Sequence, residues 1–225
     1  AAQSRRKDRK DTMNKSEKFW DQSASNYDNT EEKFEFIHSR SRENTKRYLK
    51  DTDIVLDYGC GTGTTACEIS GLVKSVRAID ISTGMIDIAK RKAATGVVTN
   101  VDFEQADIFD DSFENGSFDV VLAFNMLHTV PDPKHVVQRT LELLKDGGLF
   151  ISITPCLGGK KSVVIALQIL LVRVLLMVGA IPIPIRQLKS TDLDDLIDHE
   201  KLQVIETEEI FKGASSYFMV AKKEF

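Results

Sequence analysis

The stretch from Ile54 to Gly63, Ile-Val-Leu-Asp-Tyr-Gly-Cys-Gly-Thr-Gly, constrains the fold of this chain more than any other segment. Three apolar, strand-favouring residues lead to an acid, and glycines then occupy every second position. This pattern predicts a buried parallel strand that ends in a tight loop and opens a helix. Because glycines tolerate positive φ and carry no Cβ, such a loop lets a ligand approach the backbone.

The loop departs from the dinucleotide-binding fingerprint G-x-G-x-x-G, because Thr64 stands where the third glycine belongs. Asp57 also precedes the loop, and a carboxylate there would repel a pyrophosphate. It suits a ligand with positive charge, such as S-adenosylmethionine, which carries an ammonium and a sulfonium and no phosphate. A tight turn that binds no ligand remains an open interpretation of the loop alone.

Two further acids follow predicted strands downstream. The second predicted strand ends at Asp80, 21 residues after Gly59. A carboxylate at about that distance from a glycine loop holds the hydroxyls of a nucleoside ribose. Asp107 follows the third predicted strand, where it could accept the amino protons of an adenine. Asp107 taken alone reads equally well as a solvated strand end.

The remaining elements continue an alternation of strands and helices. We predict a strand at residues 118–124, a helix at 136–144 and a strand at 149–154. Ser82 is expected to cap the helix that follows the second strand. Such alternation is typical of a parallel sheet covered by helices.

In order and spacing, these segments resemble class I S-adenosylmethionine-dependent methyltransferases, especially the small-molecule branch that includes the ubiquinone and menaquinone C-methyltransferases. The matching motifs, spread over residues 14–156, are Val55–Gly63, Ala78–Ser82, Gln105–Phe109, Phe118–Pro133 and Leu144–Thr154. The stretch Phe19-Trp20-Asp21-x-x-Ala24-x-x-Tyr27-Asp28 also resembles the lead-in helix of that family, which folds over the cofactor.

The resemblance implies an α/β fold with a Rossmann-like, seven-stranded, mostly parallel sheet and helices on both faces. Residues 202–211 and 215–221 would form its C-terminal antiparallel hairpin, after a short helix at 191–199. We expect a single methyltransferase domain at residues 14–225, with cap helices at 14–50 and an apolar insertion or lid at 157–190.

The resemblance also places the cofactor, S-adenosyl-L-methionine, whose product is S-adenosyl-L-homocysteine. The loop glycines Gly59, Gly61 and Gly63 would lie under its methionine and ribose parts, with Cys60 between them. Asp57 would hold the amino group through water, and Asp80 would bind the ribose hydroxyls. The other implied contacts are Ile81, Met85, Asp107 and Ile108 around the adenine, and Tyr27 and Asn125 near the methionine end and the transferred methyl.

His128 is the candidate general base if the acceptor must lose a proton. It follows the fourth predicted strand, at the carboxyl edge where ligands of α/β proteins bind. A structural role in the same loop is the alternative.

Composition narrows the class of protein further. The chain has 225 residues, enough for one full core, and a net charge of −4. No long basic stripe occurs within the predicted domain, which argues against nucleic acid as a partner. The basic residues near the N-terminus fall in a tail, residues 1–13, that we expect to be disordered.

The cysteines and histidines also indicate the class of protein. The three cysteines show no C-x-x-C pattern, which favours a reducing, cytoplasmic location over a disulfide scaffold. The four histidines lack metal-ligand spacing, so we expect no metal.

The segment from Val163 to Ile185 is apolar on nearly every face, and Gln168 and Arg173 are its exceptions within the predicted helix at residues 162–178. One membrane span would leave the last two strands on the wrong side of the bilayer. Three interpretations remain open: a lid or homodimer helix, a wall of an apolar acceptor pocket, or a peripheral membrane contact.

We therefore expect methyl transfer to a small, lipophilic acceptor, quinone- or lipid-like. Two other classes are weighed against it. A non-catalytic protein could bind the cofactor and dock a partner or membrane through residues 162–185. An NAD-dependent oxidoreductase is disfavoured by Thr64.

Overall fold

The computed structural model describes residues 14–198 and 201–224 of the chain. The expected basic tail, residues 1–13, lies outside the described residues, as does His199 at the end of one predicted helix. The helices are α1 at 14–24, α2 at Tyr27–Glu31, α3 at Glu35–Lys46, α4 at Thr64–Ile69, α5 at Thr83–Thr95, α6 at Pro133–Leu143, α7 at Val163–Met177 and α8 at Ser190–Asp198. Short 3₁₀ turns cover Glu32–Phe34 and Ser70–Leu72.

All seven strands belong to one sheet, whose order is β3-β2-β1-β4-β5-β7-β6. Their bounds are Ile54–Tyr58, Ser75–Asp80, Val101–Gln105, Phe118–Phe124, Leu144–Pro155, Leu202–Phe211 and Ser215–Lys223 for β1 to β7. Strands β1 to β5 pair in parallel, and β7 pairs antiparallel with both β5 and β6. This confirms the predicted fold class.

The central strands are apolar because helices cover both faces of the sheet. Val55 and Leu56 of β1, and Val121 and Leu122 of β4, are fully buried. Alternate residues of these strands join two core clusters, one on each side of the sheet. This packing holds the carboxyl ends of β1 and β4 side by side.

The predicted start of α5 is confirmed, since the Ser82 hydroxyl accepts a hydrogen bond from the Met85 N–H at 3.1 Å. Strand β5 differs from its prediction and begins at Leu144, immediately after α6 ends. Leu144 pairs with Phe118, and the register then shifts before Val120 pairs with Leu149. Residues 145–148, which lie between the predicted helix and strand, thus belong to an irregular start of β5.

The helix α7 stands apart from the core, because none of its residues is buried. Its start is tied to the turn between β6 and β7, where the Ser162 N–H donates to the Gly213 carbonyl at 2.7 Å. Within residues 14–198 and 201–224, no helix is both long enough and apolar enough to span a bilayer.

The glycine loop after β1 contains a residue whose role is packing. Gly63 has a φ of +77°, and a Cβ there would lie 2.6 Å from the Phe103 ring and 2.8 Å from Ala89 Cβ. The absent side chain therefore lets the loop press against β3 and α5. Gly116 offers a control, because its φ is +67° but nothing lies within 4 Å of its ideal Cβ position.

We expect Gly63→Ala to lower the free energy of unfolding by about 2 to 5 kcal/mol, from backbone strain plus overpacking. Gly116→Ala should lower the free energy of unfolding by the backbone strain alone, about 1 to 2 kcal/mol. Urea unfolding of both variants measures the difference. Equal losses would show that Gly63 is required for its φ alone.

Candidate functional site

Three cavities meet at the carboxyl ends of β1, β2 and β4, beneath the cap formed by α1, α2 and α3. We call them the central cavity, of about 430 Å³, the polar cavity, of about 500 Å³, and the apolar cavity, of about 670 Å³. Tyr27 and Asn125 line all three. The site lies where the strand order reverses between β1 and β4, the usual ligand position in open α/β sheets.

Asp80 lies at the wall of the central cavity, with Gly61 and Ile81. Its Oδ2 accepts the Gly61 N–H at 3.0 Å, and its Oδ1 accepts the Ser82 N–H at 2.9 Å. These bonds fix the carboxylate, while burial raises the pKa of Asp80. Each oxygen keeps lone-pair capacity, so the group can accept two ribose hydroxyls.

Three of the four predicted adenine contacts line the central cavity, and one does not. Ile81, Met85 and Asp107 line the central cavity, whereas Ile108 is fully buried in the core and does not line it. The chain turns after β3, where the Asp110 N–H donates to the Asp107 carbonyl, and this turn points Ile108 inward. Phe109, the next residue, lines the central cavity instead.

The sequence alone does not single out Phe109 or a second ring beside it, His135. The rings of Phe109 and His135 lie 4.4 Å apart, and both residues line the central cavity. His135 lies on α6, far along the chain from the glycine loop, and no local pattern indicates its role.

The loop glycines also separate into two roles. Gly59 lines the central and polar cavities and Gly61 the central cavity, whereas Gly63 lines neither of these nor the apolar cavity. A Cβ on Gly61 would lie 3.4 Å from the Tyr27 ring, so the cap closes directly over the loop. Cys60 lines the polar cavity, and burial raises the pKa of its thiol, which disfavours the reactive thiolate.

Asp57 supplies the clearest test of whether the site fits the expected cofactor. Its carboxyl group is buried at the polar cavity, and its Oδ2 has no hydrogen-bond partner among the described residues. Burial and the negative charge of Asp80 raise its pKa to about 7. A buried, unpartnered carboxylate oxygen is costly unless a cation meets it, so the residues present fit the ammonium of S-adenosylmethionine.

The cap is held down by two of the acids in the predicted lead-in motif. Asp21 Oδ1 accepts the Ser82 hydroxyl at 2.6 Å and the Gly84 N–H at 2.9 Å. Asp28 accepts the Thr62 hydroxyl at 2.5 Å and pairs with Lys92 at 3.2 Å. Groups of the glycine loop, of the start of α5 and of its last turns therefore bind the cap above the loop.

Aromatic residues of the cap form a wall that reaches two cavities. Trp20 stacks edge-on with Phe19 and Tyr27, at ring-centroid distances of 5.2 Å and 6.3 Å. Trp20 and Tyr27 line both the central and the apolar cavity, and Phe19 lines the apolar one. The single tryptophan of the chain is thus a fluorescent reporter for ligands in either space.

Asn125 lies between the cavities in a strained conformation, with φ +54°. Its N–H donates to the Ile153 carbonyl at 2.8 Å, which holds it at the end of β4. A non-glycine residue in this region costs free energy, and such strain is characteristic of functional positions. The backbone thereby directs the amide side chain to the point where all three cavities meet.

His128 lies at the apolar cavity and does not line the central one. Burial lowers its pKa to about 4, so the imidazole is neutral near pH 7. Its Nδ1 is buried without a hydrogen-bond partner in the described part of the chain. The same part of the chain contains no group of three or more His, Cys, Asp or Glu residues placed to hold a metal.

The buried carboxyl of Asp57 generates a pH prediction. Its raised pKa means that the group becomes ionised between about pH 6 and pH 8, and a bound ammonium favours the ionised form. The affinity for S-adenosylhomocysteine should therefore rise by up to about tenfold across that range. Asp57→Asn keeps the shape of the side chain and should bind more weakly, with most of this dependence lost.

Isothermal titration calorimetry of both proteins at each pH measures the effect. Asp80 is present in both, so the difference between their slopes isolates Asp57. Identical slopes would contradict the assignment.

Comparison with known proteins agrees with this geometry. A family described as "Methyltransferase domain" matches residues 49–182. Ubiquinone biosynthesis O-methyltransferases from Colwellia psychrerythraea and Xanthomonas oryzae are each 37% identical to this chain, over 97 and 100 residues. These matches cover 42% and 44% of the chain but only 39% and 41% of those relatives, so the similarity spans about two fifths of their length.

Solved structures share the fold at lower identity. The YcgJ protein of Bacillus subtilis has a TM-score of 0.69 at 17% identity, covering 84% of this chain and all of the other. Geranyl diphosphate C-methyltransferase from Streptomyces coelicolor has a TM-score of 0.64 at 16% identity, covering 84% of this chain and 79% of the other. The predicted family and its cofactor, S-adenosyl-L-methionine, are confirmed, and the chain belongs to the methyltransferase domain family of class I S-adenosylmethionine-dependent enzymes.

Proposed function

We propose that this protein transfers a methyl group from S-adenosylmethionine to a small, lipophilic acceptor bound in the apolar cavity. One observation carries the proposal: the central and apolar cavities share the wall formed by Trp20, Tyr27, Asn125 and Thr129. A cofactor in the first space and an acceptor in the second would meet at that wall. S-adenosylmethionine supplies a methyl group on a sulfonium sulfur, which is a good leaving group.

The chain's own contribution is to hold the two partners in line and to keep water out. Asp57, Asp80 and Asp107 would bind the polar parts of the cofactor, and Gly59 and Gly61 give it access to the backbone. Tyr27, a half-buried residue of the cap, would cover the reacting end.

The chemistry of the apolar cavity favours a lipophilic acceptor. An inner stripe of α7 lines it, formed by Ile165, Ile169, Val172 and Leu176. Phe19 and Trp20 line the opposite side, on the cap. Most of the cavity surface is apolar, although polar side chains such as Gln168 and Arg173 also line it. His128, neutral near pH 7, would give or accept one hydrogen bond. The relatives named for ubiquinone biosynthesis support a quinone-like ring as acceptor.

The test uses methyl-labelled S-adenosylmethionine and a bacterial lysate, followed by partition into organic solvent, water and macromolecular precipitate. We expect label in the organic phase with the natural protein and at least a hundredfold less with Asp80→Asn, because that variant loses the ribose contact. Label confined to the aqueous phase would contradict the lipophilic acceptor, and label in the precipitate would contradict a small-molecule acceptor.

We further propose that the outer face of α7 contacts an anionic membrane surface, from which the acceptor enters. The exposed apolar residues of α7 and its C-terminal end repeat every three to four positions: Val163, Val164, Leu167, Leu170, Leu171, Val174, Met177 and Val178. Gln168 and Arg173 are also exposed, and they line the apolar cavity. Their exposure reaches 78% at Val163 and Met177. An apolar stripe of this length on the surface marks an interaction site.

Neighbouring residues fit a membrane surface. Phe36 is 56% exposed, and Lys212 lies 5.9 Å from its ring. Lys160, just before α7, is also exposed. Exposed aromatic and basic side chains beside an apolar helix face are typical of interfacial binding. The inner stripe of the same helix lines the apolar cavity, so an acceptor leaving the bilayer would travel a short distance.

Sedimentation with vesicles that contain phosphatidylglycerol tests this contact. The double variant Leu167→Glu/Leu171→Glu should bind them at least about tenfold more weakly, because two apolar side chains no longer enter the interface. Val97→Glu removes an 82% exposed apolar residue elsewhere and serves as the control. The membrane contact would be contradicted if the natural protein dimerised through α7 and did not sediment with the vesicles.

A further inference from the structure

Glu31 and His38 form an ionisable pair at the junction of the polar and apolar cavities. Glu31 ends α2 and His38 lies on α3, and both line both cavities. His38 Nε2 lies 3.2 Å from Glu31 Oε2 and 3.3 Å from Asn125 Nδ2. Their side chains are only 17% and 26% exposed, so water reaches the pair poorly.

The geometry allows a single proton between the two groups. If Nε2 carries the proton, it donates to Glu31, and the Asn125 amide must turn its oxygen toward the ring. If Glu31 carries the proton, it donates to Nε2, whose lone pair is otherwise open to the Asn125 amide. Either way the two side chains behave as one unit that can hold or release one proton.

The surroundings bring the two groups close in proton affinity. Burial, aided by the negative charge of Asp28, raises the pKa of Glu31 to about 7. Burial and the neighbouring Arg42 guanidinium lower the pKa of His38, against a smaller opposing effect of Glu35. A base that releases and takes up its proton near neutral pH is the kind that transfers protons efficiently.

We infer that Glu31 and His38 together accept a proton from the acceptor, which makes that acceptor a weakly acidic hydroxyl such as a phenol. This inference rests on the proposed methyl transfer. The acceptor's O–H bond breaks and its proton passes to the pair, which goes from one negative charge to neutral. The oxygen's electron pair forms the bond to the methyl carbon, while the electron pair of the carbon–sulfur bond leaves with sulfur.

His128 is the weaker candidate for this step. It lines the apolar cavity alone, no described ion pair or hydrogen bond joins its ring to a carboxylate, and its pKa near 4 makes it a poor base. His38 contacts both a carboxylate and Asn125, which lines the central cavity as well. The pair therefore lies at the proposed acceptor space and contacts a residue, Asn125, that also lines the central cavity.

The first experiment is optical and needs no turnover. An alkylated 4-nitrophenol is added to protein saturated with S-adenosylhomocysteine near pH 7, where Glu31 is still partly ionised, and quenching of Trp20 fluorescence reports its binding. We expect the bound probe to show more of the phenolate absorption band than the free probe at the same pH, although an apolar cavity alone favours the neutral phenol. Glu31→Gln and His38→Gln should lose this increase, whereas Glu43→Gln, which changes an exposed carboxylate of α3, should keep it.

The second experiment measures methyl transfer to the same probe. Glu31→Gln and His38→Gln should lower kcat by about 10²-fold to 10⁴-fold, with the affinity for S-adenosylhomocysteine unchanged. A bound probe that stays neutral in the natural protein, or variants that keep both the band and the rate, would overturn the inference. Ionisation without any methylated product would support the pair and contradict the proposed function instead.

Discussion

The parallel pairing of β1 with β4 is the constraint on which the rest of the site depends. Residues 55–58 of β1 lie in register with residues 120–123 of β4. Both strands are buried on two faces, so neither can slip without exposing its apolar residues. The glycine loop and Asn125 therefore emerge next to each other, and every cavity of the site is built around that junction.

Two carboxyl groups beside the glycine loop determine which ligand charges the site favours. Asp57 is buried and Asp80 is half-buried close to the loop, and desolvation raises the pKa of each. Two carboxyl groups with little access to water favour a ligand that brings a cation and hydroxyl donors and disfavour one that brings phosphate. The cap reinforces this arrangement, because Asp21 and Asp28 use hydrogen bonds and an ion pair to cover the same loop.

The helix α7 differs from an ordinary surface helix, which buries an apolar face and exposes a polar one. Its inner stripe lines the apolar cavity without being buried, and its outer stripe is apolar and exposed. A helix of this kind gains little by packing on its own domain, so its stability and its function both point to an apolar partner outside. The same feature would join the proposed acceptor binding and the proposed membrane contact in one element.

The parts of the site that the sequence predicts are those in which the signal is local. The strand-then-glycine and strand-then-acid patterns predict Gly59, Asp80 and Asp107, which line the central cavity, because strand and turn lie within a few residues. The sequence does not show that Phe109 rather than Ile108 lines this cavity, because the turn after β3 sets which side chain faces it. Gly63, predicted as a ligand contact, lines none of the three cavities, and its missing Cβ accommodates Phe103 from another strand.

Other features depend on residues distant in sequence. Glu31 and His38 carry no motif, and only the closure of the cap brings His38 to Asn125, 87 positions away. Likewise, the periodicity of α7 shows an apolar helix but leaves open which stripe faces the protein. The contact of His38 with Asn125 and the choice of inner stripe both depend on how α3 and α7 pack around the strand ends. That packing is a property of the whole fold.

A crystal structure of the protein with S-adenosylhomocysteine and a polyprenylated phenol tests the central claim most directly. Our account predicts the cofactor product in the central and polar cavities, its sulfur beside Tyr27 and Asn125. It predicts the phenol ring in the apolar cavity, in contact with the same two residues and open to the sulfur, with the isoprenoid chain along the inner stripe of α7. A phenol bound outside the apolar cavity, or one separated from the sulfur by a closed protein wall, would contradict the account.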